Sequence, residues 1–475
     1  MVHPSRRSLD YPHSSKILHP QRIEDPVGSS TVAELEYDAS ALVFEHGWQS
    51  WSPSGWYPLT TQPPRPTAPN HRVMAYRPEI TRLASSVGSS PRFEGEGLLA
   101  IATGGEVVVV GAKTPDAVPS IRCDVTTNRL VVSADGEVEV TRSSPANPNQ
   151  ALADWADAFA ARSTEQSAVR VFGPSWCSWY AYWGKVTERD VMAEVRQFDQ
   201  HDLSVDLVLL DEGYQAEIGD WLTPRDDFGS TVRLAADIRS GGRRAGIWVA
   251  PFLVGSKSET ARLHPEWLVP GITAGTNWGQ EQLVLDVTHP GAARHLQDVF
   301  TELCRQGYDH FKLDFVYAGA IEGRRHEPID GIAAYRHGMR LLREAVGPNR
   351  ILHGCGAPIL PSLGLVDCMR VSPDTDPLVD PPSGDISQPG QRGARSTSVA
   401  REFLHGRWWA NDPDCLIVQP DVQDRERWAE HVENAPGLRM SSDPIGALDQ
   451  WGLDRTRQLL TPSSNRPHPL KDPDA

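Results

Sequence analysis

Apolar positions along the chain follow two rhythms. Between about 31 and 145 they come in short runs broken by Gly, Asp and Asn: ALVFE, GLLAIAT, EVVVVGA, RLVVSA and EVEVT. Val-rich runs of this length, bounded by turn formers, predict antiparallel strands and a β-sandwich. Residues 149–163, NQALADWADAFAARS, are Ala-rich with a helical period and predict a linking helix. From about 170 strand-like runs alternate with helical stretches. The strand candidates are VFGPSWCSW, VDLVLLDE, AGIWVAPF, HFKLDFVY, RILHGCG, DCMRVSPD, CLIV and GLRMSSD, and helical segments such as GAARHLQDVFTELCRQG separate most of them.

Apolar strands alternating with helices predict a parallel sheet, and eight of them predict a closed (β/α)8 barrel, the TIM-barrel member of the α/β class. A doubly wound open sheet is the alternative, disfavoured because no glycine-rich phosphate loop follows an early strand. The expected organisation is a poorly ordered polar segment over 1–30, an antiparallel sandwich over 31–148, a helical linker over 149–169, the barrel over 170–461 and a disordered tail over 462–475.

Charge and composition narrow the function. Lys and Arg number 46 against 62 Asp and Glu, a net of −16, with no basic stretch. That argues against nucleic acid or an anionic membrane surface as partner. The 15 Trp outnumber Phe and Tyr taken singly; their wide apolar faces suit stacking on sugar rings as well as core packing. No run is long and apolar enough to span a bilayer, and no secretory h-region is visible. The six Cys lack CxxC or Cys/His pairing in sequence, so reduced thiols and a cytoplasmic location are expected.

In a barrel of this kind catalytic groups stand at the C-terminal ends of strands. Those ends carry Trp176 and Trp179, Asp211 and Glu212, Lys312 and Asp314, Cys355, and Arg370 and Asp374; Asp412 and Asp414 precede the CLIV run. Two carboxyl groups suffice for glycoside cleavage with retention, one as nucleophile and one as acid/base. Asp314 is the candidate nucleophile because Lys312 lies two residues before it, on the same strand face, where an ammonium holds a carboxylate ionised. A purely structural ion pair between the two is the alternative. Asp374 ends a strand in a Pro-containing loop and is the candidate acid/base, with Asp376 its rival on chemistry alone. Asp374/Asp376 or Asp412/Asp414 are metal-capable pairs, but no calcium loop or zinc spacing accompanies them, so no metal is expected.

At these residues the sequence resembles the α-galactosidases of glycoside hydrolase family 36, clan D. The pieces are HGWQSWSPSGW (46–56), PSWCSWYAYWGKVTE (174–188), LDEGYQAEIGDW (210–221), LVLDVTHP (283–290), FKLDFVYAG (311–319), LHGCGAP (352–358), DCMRVSPDTDP (367–377) and WWANDPDCLIV (408–418), in the family's order. The resemblance implies double displacement without a cofactor, with Asp314 as nucleophile and Asp374, four residues after Arg370, as acid/base. It implies that Lys312 contacts the 3- and 4-hydroxyls, Arg370 the 2-hydroxyl region and Asp211 the 4- and 6-hydroxyls. Trp221 and Cys355 are expected to line the same subsite, and Trp179 the pocket rim. Trp48 and Trp51 either cap the pocket from the sandwich or fill its core. Asp412 and Asp414 are read as supports.

Two departures stand out. Position 212 is Glu where many relatives carry a second Asp, which puts strict galactose preference in question. The chain is also short beside typical relatives, which carry a larger sandwich and a C-terminal β domain, so the oligomeric state is left open. The expected activity is retaining hydrolysis of small α-galactosides of melibiose or raffinose type. Galactosyl transfer, α-N-acetylgalactosaminide hydrolysis and non-catalytic carbohydrate binding are the alternatives.

Overall fold

The computed structural model describes residues 28–84, 92–165 and 169–461. Most of the expected N-terminal segment and the whole expected tail lie outside them.

Two antiparallel sheets come first. One has four strands in the order Ser30–Leu35, Leu130–Ala134, Ser120–Val125, Arg92–Glu96; the other has five, Gly55–Pro58, Leu42–Glu45, Leu98–Thr103, Glu106–Ala112, Val138–Ser143. A single buried cluster draws Leu35, Phe93, Ile121, Cys123 and Val132 from the first and Val43, Leu99, Ile101, Val108 and Val110 from the second, so the two sheets share a core. The other face of the five-stranded sheet is buried too. Phe44, Leu98, Ala100, Val107 and Val109 belong to the main core, together with Trp155 and Phe159 of the helix Pro148–Arg162. Burial on both faces explains why EVVVVGA is a continuous apolar run rather than an alternating one. The strands Ser30–Leu35, Gly55–Pro58, Arg92–Glu96 and Ser120–Val125 were absent from the sequence reading because they are mixed polar and apolar.

The remainder is an eight-stranded parallel sheet. Its strands are β1 Ser175–Cys177, β2 Leu207–Leu210, β3 Arg244–Val249, β4 His310–Leu313, β5 Ile351–Gly354, β6 Cys368–Arg370, β7 Ala410–Asp412 and β8 Met440–Ser441. The order is β7-β6-β5-β4-β3-β2-β1-β8, with every pairing parallel. Between the two ends of that order, Leu438 N–H donates to Asn411 O at 2.8 Å, Leu416 N–H to Met440 O at 2.7 Å and Ser442 N–H to Leu416 O at 3.0 Å. The sheet is thus curled and TIM-barrel-like. The seventh strand corrects the sequence reading: it is Ala410–Asp412, whereas CLIV contributes only an isolated bridge, Leu416 to Ser441. The polar Asn-Asp ending hid it, because a strand end that carries functional groups does not look apolar.

After β3 the chain makes an excursion, a three-stranded antiparallel sheet of Leu253–Gly255, Gln280–Leu285 and Leu268–Asn277. It lies at the C-terminal side of the barrel strands and supplies side chains to the site below.

Candidate functional site

The C-terminal ends of the barrel strands form one pocket. Asp211 and Glu212 follow β2, Trp248 lies in β3, Lys312 lies in β4 with Asp314 and Phe315 just after it, Asp374 follows β6, and Trp179 follows β1. Asn277 and Trp278 come from the tip of the excursion, and Trp51 comes from the first unit. Four of these, Trp248, Asn277, Trp278 and Phe315, were not singled out in the sequence. Trp248 had a signal, as an indole within an otherwise aliphatic strand run; the excursion had none.

Asp314 accepts a hydrogen bond from the Trp248 indole N–H at 2.9 Å and another from the Phe315 backbone N–H at 2.8 Å. These two donors fix its carboxyl group. Phe315 itself has φ +51 and Trp278 has φ +51, left-handed conformations that aromatic residues rarely adopt and that concentrate at functional sites.

Lys312 corrects one expectation. Its ammonium pairs with Asp211 Oδ2 at 2.7 Å rather than with Asp314. The Asp211 carboxylate raises the Lys312 pKa against the larger opposing effect of burial, with Asp314 a smaller contributor. Asp211 also receives the Cys177 thiol at 3.1 Å, and its own N–H donates to Ser178 Oγ at 2.8 Å. Next to it, burial pushes Glu212 up to about 7, opposed by a hydrogen bond from Gln215 Nε2 at 3.0 Å.

Asp374 is pushed up to about 7, chiefly by burial; Arg370 opposes this, while Asp414 and Asp314 add to it. Arg370 does not line the pocket. Its guanidinium is committed to three carboxylates: Asp374 Oδ1 at 2.7 Å, Asp412 Oδ2 at 3.0 Å and Asp414 Oδ1 at 2.8 Å. Asp414, at φ +84, accepts further bonds from Tyr180 Oη and the Thr375 N–H, both at 2.7 Å. Asp412 and Asp414 therefore sit as supports beneath the Arg370–Asp374 pair.

The remaining expected residues are distributed around this centre. Trp221 packs edge-on against Trp248, with ring centroids 5.7 Å apart, behind the pocket wall. Cys355 is buried, its thiol raised by burial and by Asp314, so it lies beneath the floor. Trp48 stacks on Tyr76 at 4.8 Å and donates to Met74 O at 3.0 Å, in the interior rather than in the pocket. Trp51 is in the pocket, edge-on to Phe315 at 4.9 Å.

The loop that presents Trp51 is pinned by one side chain. Arg401, fully buried, donates to the carbonyls of Gly47, Gln49, Ser50 and Ser52 at 2.7–3.0 Å and to Val371 O at 3.0 Å. Burial lowers its pKa to about 9, since carbonyl dipoles compensate a buried charge less than a carboxylate does. Ser50 N–H to Ala357 O at 3.0 Å and Ile359 N–H to Trp48 O at 2.9 Å complete the docking.

At the C-terminal rim of a barrel-like parallel sheet the chain thus gathers two carboxyl groups in unlike surroundings, a lysine and aromatic walls. Residues 176–318 match the Melibiase family model. An α-galactosidase of Escherichia coli is 31% identical over 157 residues, covering 30% of this chain and 22% of its own length. AgaA, an α-galactosidase of Geobacillus stearothermophilus, is 28% identical over 110 residues, 22% of this chain and 15% of its own. The matched stretches thus span less than a quarter of these curated relatives. Among solved structures, TtGalA, the α-galactosidase from Thermus thermophilus in complex with stachyose, superposes with a TM-score of 0.74 at 27% identity, covering 94% of this chain and 97% of that one. The chain is a relative of the GH36 α-galactosidases.

Proposed function

We propose that the chain is a retaining α-galactosidase acting on small α-galactosides, built on a closed (β/α)8 barrel behind an N-terminal sandwich. The observation that carries this reading is that Asp314 and Asp374 line one pocket in unlike environments. Asp314 is gripped by two N–H donors, whereas Asp374 has its pKa raised to about 7. Divergent environments are what assign nucleophile and acid among paired carboxyls.

Asp314 attacks the anomeric carbon as the glycosidic C–O bond breaks, and Asp374 gives its proton to the leaving oxygen. Asp374 then takes a proton from water as that water displaces Asp314 from the same carbon, so the α configuration is restored. The Lys312–Asp211 pair and Glu212 form the polar side of the pocket that would hold the sugar hydroxyls. Trp51, Trp179, Trp248 and Trp278 supply apolar faces for its C–H surface. The TtGalA structure with stachyose supports raffinose-type galactosides as the substrate class.

The test is release of 4-nitrophenol from 4-nitrophenyl α-D-galactoside, with the anomer of the first-formed galactose read by NMR. Activity with α-galactose appearing first supports the reading. Full activity in Asp314→Asn, or β-galactose appearing first, overturns it.

A further inference from the structure

The turn at the tip of the excursion carries an unexpected side chain. Asn277 pairs with Gln280 across the hairpin, so Trp278 and Gly279 alone make the turn. Both have positive φ, +51 and +67. A two-residue turn with positive φ at both central positions is of type I′, which favours Asn, Asp or Gly at the first of them. A non-glycine residue held there costs of order 1–3 kcal/mol in backbone strain. Asn277 offsets part of that cost, since its Oδ1 accepts the Trp278 N–H at 2.8 Å. The turn itself has no use for a large ring, so the reason for the tryptophan lies in what the ring touches.

The ring packs against both residues that hold Asp314. Trp248, whose indole N–H donates to Asp314 Oδ2 at 2.9 Å, has its ring centroid 6.2 Å from that of Trp278, at 70°. Phe315, whose backbone N–H donates to Asp314 Oδ1 at 2.8 Å, has its ring 5.2 Å from Trp278, at 64°. The other ring neighbour of Trp248 is Trp221, and those of Phe315 are Trp51 and Tyr317. Among the described residues Trp278 is therefore the one ring against both. Its indole N–H also faces the Glu212 carboxyl, where it weakly opposes the rise that burial imposes on that group.

We propose that Trp278 is a positioning residue for Asp314: its ring fixes Trp248 and Phe315, and through them the two N–H donors that aim the carboxylate. The role deepens the galactosidase reading and rests on it for the reaction. Trp248 donates from its side chain, so the direction of its N–H follows its χ angles, and a hydrogen bond weakens steeply once it bends. With Trp221 alone against it, the indole is free to turn from Asp314. Phe315 donates from its main chain, and its own φ of +51 persists only while packing holds the ring in place. Edge-to-face ring contacts supply that hold.

Two variants and two measurements test this. Trp278→Asn gives the turn the Asn-Gly sequence that type I′ prefers, and Trp278 is only half-buried, so the ring is removed from a hairpin that still folds. Trp278→Phe keeps a ring without the indole N–H. Rates on 4-nitrophenyl α-D-galactoside are measured for both, and crystal structures of the native chain and Trp278→Asn are compared. We expect kcat to fall roughly 10- to 100-fold in Trp278→Asn, as for a misplaced reacting group, with KM nearly unchanged. Most of kcat should return in Trp278→Phe, and the Trp248–Asp314 hydrogen bond should be broken in the Trp278→Asn crystal. A raised KM with unchanged kcat makes Trp278 a substrate contact and overturns the proposal. A loss in Trp278→Phe equal to that in Trp278→Asn assigns the effect to the N–H beside Glu212 and also overturns it, as does an intact Trp248–Asp314 bond. A native chain without galactosidase activity would sink the functional reading alone, and the paired crystal structures would then decide the positioning.

Discussion

Arg370 donates to Asp374 at 2.7 Å, yet Asp374 is pushed up to about 7 rather than down. The guanidinium that faces Asp374 also faces Asp412 and Asp414 at 3.0 and 2.8 Å. One positive charge divided among three carboxylates leaves burial as the larger effect on Asp374. The arrangement keeps a carboxyl group oriented by an arginine and still able to hold a proton near neutrality.

A pH dependence follows. A general acid works in its protonated form, so kcat/KM should fall as pH rises through about 7. Glu212 is pushed up to about 7 as well, again chiefly by burial. Glu212→Gln should therefore leave the Asp374 limb in place while simplifying the profile. A profile flat from pH 5 to 9 in the native chain would refute the Asp374 assignment.

Asp374→Asn should show a leaving-group split. Hydrolysis of melibiose, whose leaving sugar needs a proton, should fall roughly 100- to 10,000-fold. The first step on 4-nitrophenyl α-D-galactoside, whose phenolate leaves unaided, should fall far less. Steady-state rates on the two substrates, with the nitrophenol burst, check this.

Lys312→Met should destabilise as well as inactivate. It strands Asp211, 1% exposed, without its ammonium partner, and breaking a buried pair costs about 3–5 kcal/mol. Urea unfolding reads the stability. Asp211→Asn combined with Lys312→Met should recover part of the loss, because the stranded charge is then gone.

Gly356→Ala tests the docking of Trp51. Gly356 has φ +50, and a Cβ there would stand 2.7 Å from the Trp51 ring. We expect the ring to be displaced, with KM rising more than kcat falls, and near-UV circular dichroism altered. Unchanged KM would separate Trp51 from substrate binding.

Much of this was legible in the sequence, for identifiable reasons. The aliphatic runs ending in Asp211, Asp314 and Arg370 read directly as barrel strands with chemistry at their tips, because burial on both faces makes such strands continuous and apolar. The seventh strand, Ala410–Asp412, was misplaced for the converse reason: two of its three residues are polar. The pairing of Lys312 was misassigned because alternation along one strand fixes a shared face but is silent about the other strands, and Asp211 reaches in from the end of β2, on the far side of β3. Asn277 and Trp278 were invisible because they depend on an antiparallel excursion folding back over the rim, a long-range event with no local pattern.

Arg401 gives the two-part construction a practical meaning. A single buried cation binds four carbonyls of the loop over residues 47–52, more than 340 positions away in the chain, and so makes a wall of the pocket conditional on both parts being folded and joined. Expressed without its first unit, the barrel would keep its carboxyl groups but lose Trp51 and leave the Arg401 guanidinium short of four acceptors. Grafting a different N-terminal unit onto the same barrel would then rebuild the wall that Trp51 supplies without touching the carboxyl groups that the barrel strands present.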